Sequence, residues 1–267
     1  MKALIELYIQ QFKTTTATMF AYRASLIIWM MGQVLEPLVY LIVWTTVSRA
    51  SGGSVGGYSS GQFAAYYILL MIINQATYTW IMYEFEYRIR EGILSFALLK
   101  PVHPIHSDIA DNISSKLITT PIVLLAAAVL SALFHPSFST HPWALALFLP
   151  ALLLAFAVRF LLEWTLAQSA FWTTRVGAVN QTYFVLMLFL SGQFAPLTLL
   201  PFPVQVIANI LPFRWLIAYP IDLIMGRLSP NQALLGLGAQ AVWLCVSSLL
   251  FRAVWGQGVQ VYSAVGA

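Results

Sequence analysis

The sequence predicts an all-α integral membrane protein with six transmembrane helices, and three observations carry that expectation. Of its 267 residues, 60% are hydrophobic and only 8% are charged, whereas soluble domains are about half apolar and a quarter charged. The mean hydropathy is +0.81. Apolar runs recur along the whole length, each near the roughly 20 residues that a helix needs to cross a bilayer. Six spans and their loops leave no room for a soluble domain of ordinary size, so residues 1–267 read as one transmembrane domain.

The first segment, residues 1–20, reads MKALIELYIQQFKTTTATMF and lacks the short apolar core and cleavage site of a signal peptide. Leu4, Ile5, Tyr8, Ile9 and Phe12 recur at helical spacing, with Lys2, Glu6, Gln10 and Lys13 opposite. That pattern describes a helix lying in the membrane interface, on the cytoplasmic side. Spans follow at about 22–47, 62–82, 112–134, 143–166, 177–199 and 231–254. The Gly/Ser-rich link at 48–61 and the turn HPSFSTHP at 135–142, with Pro136 and Pro142 as breakers, read as external.

Orientation follows from the basic residues. With the N-terminus inside, Lys2, Lys13, Arg23, Arg88, Arg90, Lys100, Lys116, Arg159, Arg175 and Arg252 fall at the cytoplasmic face, and only Arg49, Arg214 and Arg227 fall outside. This is the positive-inside bias of a multi-pass protein of the cell (plasma) inner membrane, with both termini cytoplasmic. The same residues never form a basic run, so nucleic acid is not an expected partner. Trp44, Trp80, Trp143, Trp164 and Trp172 fall near span ends, as interfacial belts require.

Two segments between spans are unusual. Residues 83–101 include EFEYRIRE, with Glu84, Glu86, Arg88, Arg90 and Glu91 charged in an otherwise apolar chain. Glu84 with Arg88 and Glu86 with Arg90 are i, i+4 pairs with the acid first, the favourable order on a helix. Phe85, Ile89, Ile93 and Phe96 share the other side. The second-span helix is therefore expected to continue below the membrane as an amphipathic piece, bend near Gly92 and stop before Pro101. Such a piece suits a groove on a partner and equally suits the lipid surface. Residues 196–228 are apolar, but Pro196, Pro201, Pro203, Pro212 and Pro220 divide them into pieces shorter than a crossing. Short re-entrant helices dipping into the outer leaflet are expected there, rather than a seventh and eighth span.

Candidate chemistry is sparse. No G-x-x-x-x-G-K-[ST] pattern occurs, and no H-E-x-x-H or G-x-S-x-G, so no catalytic residue, metal or cofactor is assigned to this chain. Cys245, the lone cysteine, excludes an intrachain disulfide and a cysteine-built metal site. His103, His106, Asp108 and Asp111 could converge on a metal, but read more simply as solvated polar residues entering the third span. Glu36 sits halfway along the first span, followed by Pro37. It is either a polar point on a translocation path or a kink whose carboxyl is neutral or bonded to a neighbouring span. Asn74, Gln75 and Gln193 are possible path residues or ordinary interspan hydrogen-bonders. Arg159 and Glu163, four apart, can pair on one helix face as an anchor. The absence of an internal repeat weighs against secondary-transporter folds built from inverted repeats.

In order, these parts resemble the membrane subunits of type-2 ATP-binding cassette (ABC) transporters, in particular their compact six-span exporter permeases. The resemblance rests on the interfacial N-terminal helix, on IREGILSFALLKPVHP after the second span and on LSGQFAPLTLLPFPVQVIANILPF after the fifth. It implies a translocation pathway shared with a second permease subunit, identical or related. It also implies a separate cytoplasmic ATPase subunit that binds the ATP and Mg, which accords with the missing phosphate-binding loop. By position, Glu84, Glu86, Arg88, Ile89, Arg90, Glu91, Gly92 and Ile93 would form the coupling segment. Arg88, Arg90 and Glu91 would be rim charges, and Ile89 and Ile93 would enter the ATPase groove. The first and fifth spans would lie near the subunit interface; transport of this type moves amphiphilic or polymeric cargo outward, and a narrow, aromatic-rich pathway would suit an apolar cargo. Two other readings stay open: an ion-coupled transporter using Glu36, and a membrane enzyme acting through the His/Asp cluster.

Overall fold

The structure, a computed structural model, describes residues 2–173 and 176–262. Arg175, counted above among the inner-face charges, lies outside the described residues. The chain begins with helices α1 (Lys2–Ala21) and α2 (Arg23–Ala50), separated by Tyr22 alone. α1 packs along the start of α6 (Ile105–Phe134) through polar side chains. Thr15 Oγ1 donates to Asp111 Oδ1 at 2.6 Å, and Gln11 Nε2 donates to the same oxygen at 3.3 Å. Ile5, Ile9 and Phe12 stay exposed, the apolar face that an interfacial helix needs.

Among the described residues, four helical stretches are long and apolar enough to cross a membrane: α2, α6, α7 (Pro142–Ala167, prolonged by a 3-10 turn to Phe171) and α12 (Pro230–Val261). The second and fifth expected spans are shorter. α3 (Ser60–Thr77) has 18 residues and ends at Thr77, not near residue 82. It is the most enclosed of the helices expected to span, with every residue from Phe63 to Met71 buried between α2, α6, α7 and α11 (Ala218–Ile224). A helix so covered by protein can carry Asn74 and Gln75 without facing lipid. α8 (Gly177–Leu190) has 14 residues and stops well before residue 199. The reason lies in the following turn, where Gly192 adopts φ +90, a left-handed conformation that glycine tolerates. Tyr66 Oη donates to the Gly192 carbonyl at 2.8 Å, while Tyr67 Oη and Trp44 Nε1 donate to the Phe194 carbonyl at 2.9 and 3.1 Å.

Residues 196–228 form the short helices α9 (Phe202–Ile210), α10 (Phe213–Leu216) and α11, each ended by the prolines or turns between them. They gather at one end of the bundle with the 48–61 link, which carries the one departure from an all-α fold among the described residues. There β1 (Ser54–Val55) and β2 (Tyr58–Ser59) pair antiparallel, Val55 opposite Tyr58. The Arg227 guanidinium stacks 3.4 Å from the Tyr58 ring centroid and donates to the Gly57 carbonyl at 3.1 Å. Thr140 Oγ1 donates to the Ile224 carbonyl at 2.6 Å, which ties in the 135–142 turn. At the opposite end lie α1, α4 (Ile81–Arg90) and α5 (Ile93–Leu98).

Candidate functional site

The charged segment is two helices, not a continuation of α3. The chain leaves helical geometry at Tyr78, Thr79 and Trp80, forms α4, turns at Gly92 with φ +69 and forms α5 up to Leu98. Of the two ion pairs expected from spacing, Glu84–Arg88 forms at 3.2 Å. Glu86–Arg90 does not: Arg90 pairs with Glu91 at 3.3 Å, both largely exposed. Arg88, expected as a rim charge, is drawn inward and keeps 23% of its side chain exposed. Its Nη1 donates to Asp108 Oδ1 at 2.6 Å, and Trp164 Nε1 donates to Asp108 Oδ2 at 2.9 Å. Asp108 is buried, so this carboxylate is matched by a cation and an indole, as a buried charge requires.

The same shift from surface to interior affects other side chains. Trp164, expected near the membrane interface, is fully buried, with its ring 4.9 Å from Phe85 and 5.1 Å from both Phe251 and Trp255. Ile89 is half-buried and packs against the core. What α4 and α5 leave exposed is Tyr83, Tyr87, Ile93, Phe96 at 71% and, just beyond, Leu99 at 83%, with Arg90, Glu91 and Lys100 near the last four. Beneath them Phe85 and Leu94 are completely buried.

Above α4, the break at 78–80 is held by a buried polar network. Arg159 Nε contacts Glu163 Oε1 at 2.8 Å, with side-chain exposures of 2% and 1%. Arg159 Nη1 also donates to Asn74 Oδ1 at 2.8 Å and to Thr77 Oγ1 at 3.0 Å. Glu163 accepts from Thr79 Oγ1 on its second oxygen and from Tyr183 Oη at 2.9 Å on the first. Lys116 Nζ donates to the Tyr78 carbonyl. Arg159 thus forms its expected pair with Glu163 along α7, but buried in the bundle and with further partners on α3. It joins α7 to the end of α3, and its partner Glu163 joins α7 to α8 and the break.

Three of the four expected path residues meet in one place. A cavity of about 330 Å³ between α2, α3, α7 and α8 is lined by Glu36, Asn74 and Gln193, and also by Gln33 and Gln181, which sequence reasoning missed. Gln33 was legible as the i−3 neighbour of Glu36, on the same helix face. Gln75 points elsewhere, donating to Thr119 Oγ1 at 2.6 Å in the α3–α6 contact. Four carboxamides in the lining make this cavity more polar than the aromatic-rich path expected for an apolar cargo.

The cluster at His103, His106, Asp108 and Asp111 does not assemble a group able to hold a metal among the described residues. Asp108 turns to Arg88, and Asp111 to α1. His103 Nδ1 accepts from the Ile105 backbone N–H at 3.2 Å, with the imidazole 4.5 Å from the Trp255 ring. Burial, with the neighbouring His106, pushes its pKa below the ordinary value.

The arrangement is a polar-lined cavity within a bundle of apolar helices. No curated protein matches the chain. Residues 34–266, which include every span after the start of the first, match the family model described as ABC-2 family transporter protein. With its apolar membrane-length helices and this match over most of its length, the chain belongs to the ABC-2 family of transporter permeases.

Proposed function

We propose that this chain is the membrane subunit of an ATP-driven exporter, working as one of a pair of six-span permeases around a shared pathway. In this reading α3 and α8 cross the bilayer as the second and fifth spans, both termini are cytoplasmic, and α9 to α11 dip into the outer leaflet. A separate ATPase subunit binds ATP and Mg and docks on α4 and α5. The observation that carries the reading is the exposed apolar set Ile93 and Phe96 on a short helix whose other side is fixed in the core, with Leu99 just after it. Large apolar side chains rimmed by charge, outside the membrane-length helices, mark a protein interface. The apolar outer faces of α2 and α8, with Ile28, Leu35 and Phe189 exposed, flank the cavity and suit a second permease.

The test uses Phe96→Glu and Leu99→Glu, which touch little inside the chain. Loss of the co-purifying ATPase and of ATP-dependent export, with an unchanged thermal midpoint in detergent, is the expected result. An ATPase that still associates and still drives export would overturn the docking assignment.

A further inference from the structure

We infer that the cavity between α2, α3, α7 and α8 binds a cationic, hydrogen-bonding amphiphile, with Glu36 as the counter-charge. This rests on the reading of the chain as a transport subunit and adds the chemistry of the cargo. Glu36 is exposed into the cavity, and among the described residues no hydrogen bond or ion pair engages its carboxylate. The cation nearest in the lining, Arg159, is already matched by Glu163 at 2.8 Å and by Asn74 at 2.8 Å. The cavity therefore presents one carboxyl group with no cation paired to it.

The rest of the lining points the same way. Among the described residues, the carboxamides of Gln33, Gln181 and Gln193 make no hydrogen bond, so three acceptors and their N–H groups face an otherwise apolar region unmet. Tyr78 and Phe184 supply aromatic walls, and Val185 and Leu188 supply aliphatic ones. A carboxylate, π faces and free amides together recognise a cation bearing N–H donors on a flat apolar body. An anion would meet Glu36 unfavourably, and a neutral apolar molecule would leave the carboxylate and amides desolvated without partners.

Equilibrium fluorescence anisotropy of the purified chain in nanodiscs tests this with rhodamine 6G, electroneutral Nile red and anionic fluorescein. Rhodamine 6G is expected to bind tightest. Glu36→Gln should weaken it about tenfold, equivalent to about 1.4 kcal/mol, and leave Nile red unchanged, while Glu36→Asp keeps the preference for the cation. Equal binding of cationic and neutral dyes, or a Glu36→Gln variant that binds rhodamine 6G as the parent does, overturns the inference. The ATPase docking test above is independent of dye: intact docking with no cation preference removes only the cargo assignment.

Discussion

Replacing Glu163 with glutamine removes one negative charge from a pair that is almost completely buried and leaves everything else near its place. The Arg159 guanidinium then stays buried beside a neutral amide, and breaking such a pair from one side costs about 3–5 kcal/mol. Glu163 also accepts from Thr79 and Tyr183. A glutamine has one acceptor oxygen where the carboxylate had two, so one of these hydroxyls must reverse its hydrogen bond or lose it, at up to about 1 kcal/mol. A loss near 4 kcal/mol lowers the thermal midpoint on the order of 10 °C for a chain of this size. Tryptophan-fluorescence melting in detergent reads that shift, and hydrogen exchange of residues 77–82 should rise with it, because the network closes on that break. The double change Arg159→Met with Glu163→Leu should recover part of the loss, since it removes both charges. A single variant within 1 kcal/mol of the parent, or a double variant no better than the single one, would refute the reasoning.

Two further outcomes follow from the ion pairs. Arg88→Ala should destabilise by about 3 kcal/mol, because Asp108 is left buried with only Trp164, whereas Arg90→Ala, on an exposed pair, should stay within about 0.5 kcal/mol; chemical or thermal unfolding of the two variants separates them. At the other end, burial pushes the Asp222 carboxyl up to about 6 against the pull of Arg214, 3.9 Å away, and of Arg227. A carboxyl raised on folding contributes stability that is complete below its unfolded value near 3.8 and is lost as pH rises through about 6. The melting midpoint should therefore rise between about pH 7.5 and 5, and Asp222→Asn should flatten that rise.

The spans on the outside of the bundle were legible because lipid-facing helices must be apolar along their length, and α2, α6, α7 and α12 follow the hydropathy closely. α3 and α8 were misjudged in length for different reasons. Hydropathy runs on past Leu190 through Phe194 and Leu197, while the helix ends at Ser191 and Gly192, where Tyr66, Tyr67 and Trp44 take up the turn's carbonyls. Tyr78, Thr79 and Trp80 contain no proline or glycine, so the break there has no local signature. It is fixed by Arg159, Glu163 and Lys116, which lie far away in sequence.

Pairing showed the same limit. The i, i+4 rule found Glu84–Arg88 and Arg159–Glu163, both set by one helix. It could not find Arg88–Asp108 across two helices, a contact that draws Arg88 inward onto a buried carboxylate. Glu36, Asn74 and Gln193 were identified singly as polar residues in apolar surroundings. Their meeting in one cavity depends on how α2, α3 and α8 sit together, which no spacing within a helix encodes.

The interruption at Tyr78–Trp80 also decides how mechanical load can travel. An unbroken helix would transmit a push on α4 along its axis into α3, as a rod does. Here the rod is cut, and α4 is bolted sideways instead, to α6 through Arg88 and Asp108 and to α7 through Phe85 and Trp164. A displacement of the α4–α5 end would therefore load α6 and α7 from the side, and Arg159 on α7 would carry it to the wall of the Glu36 cavity.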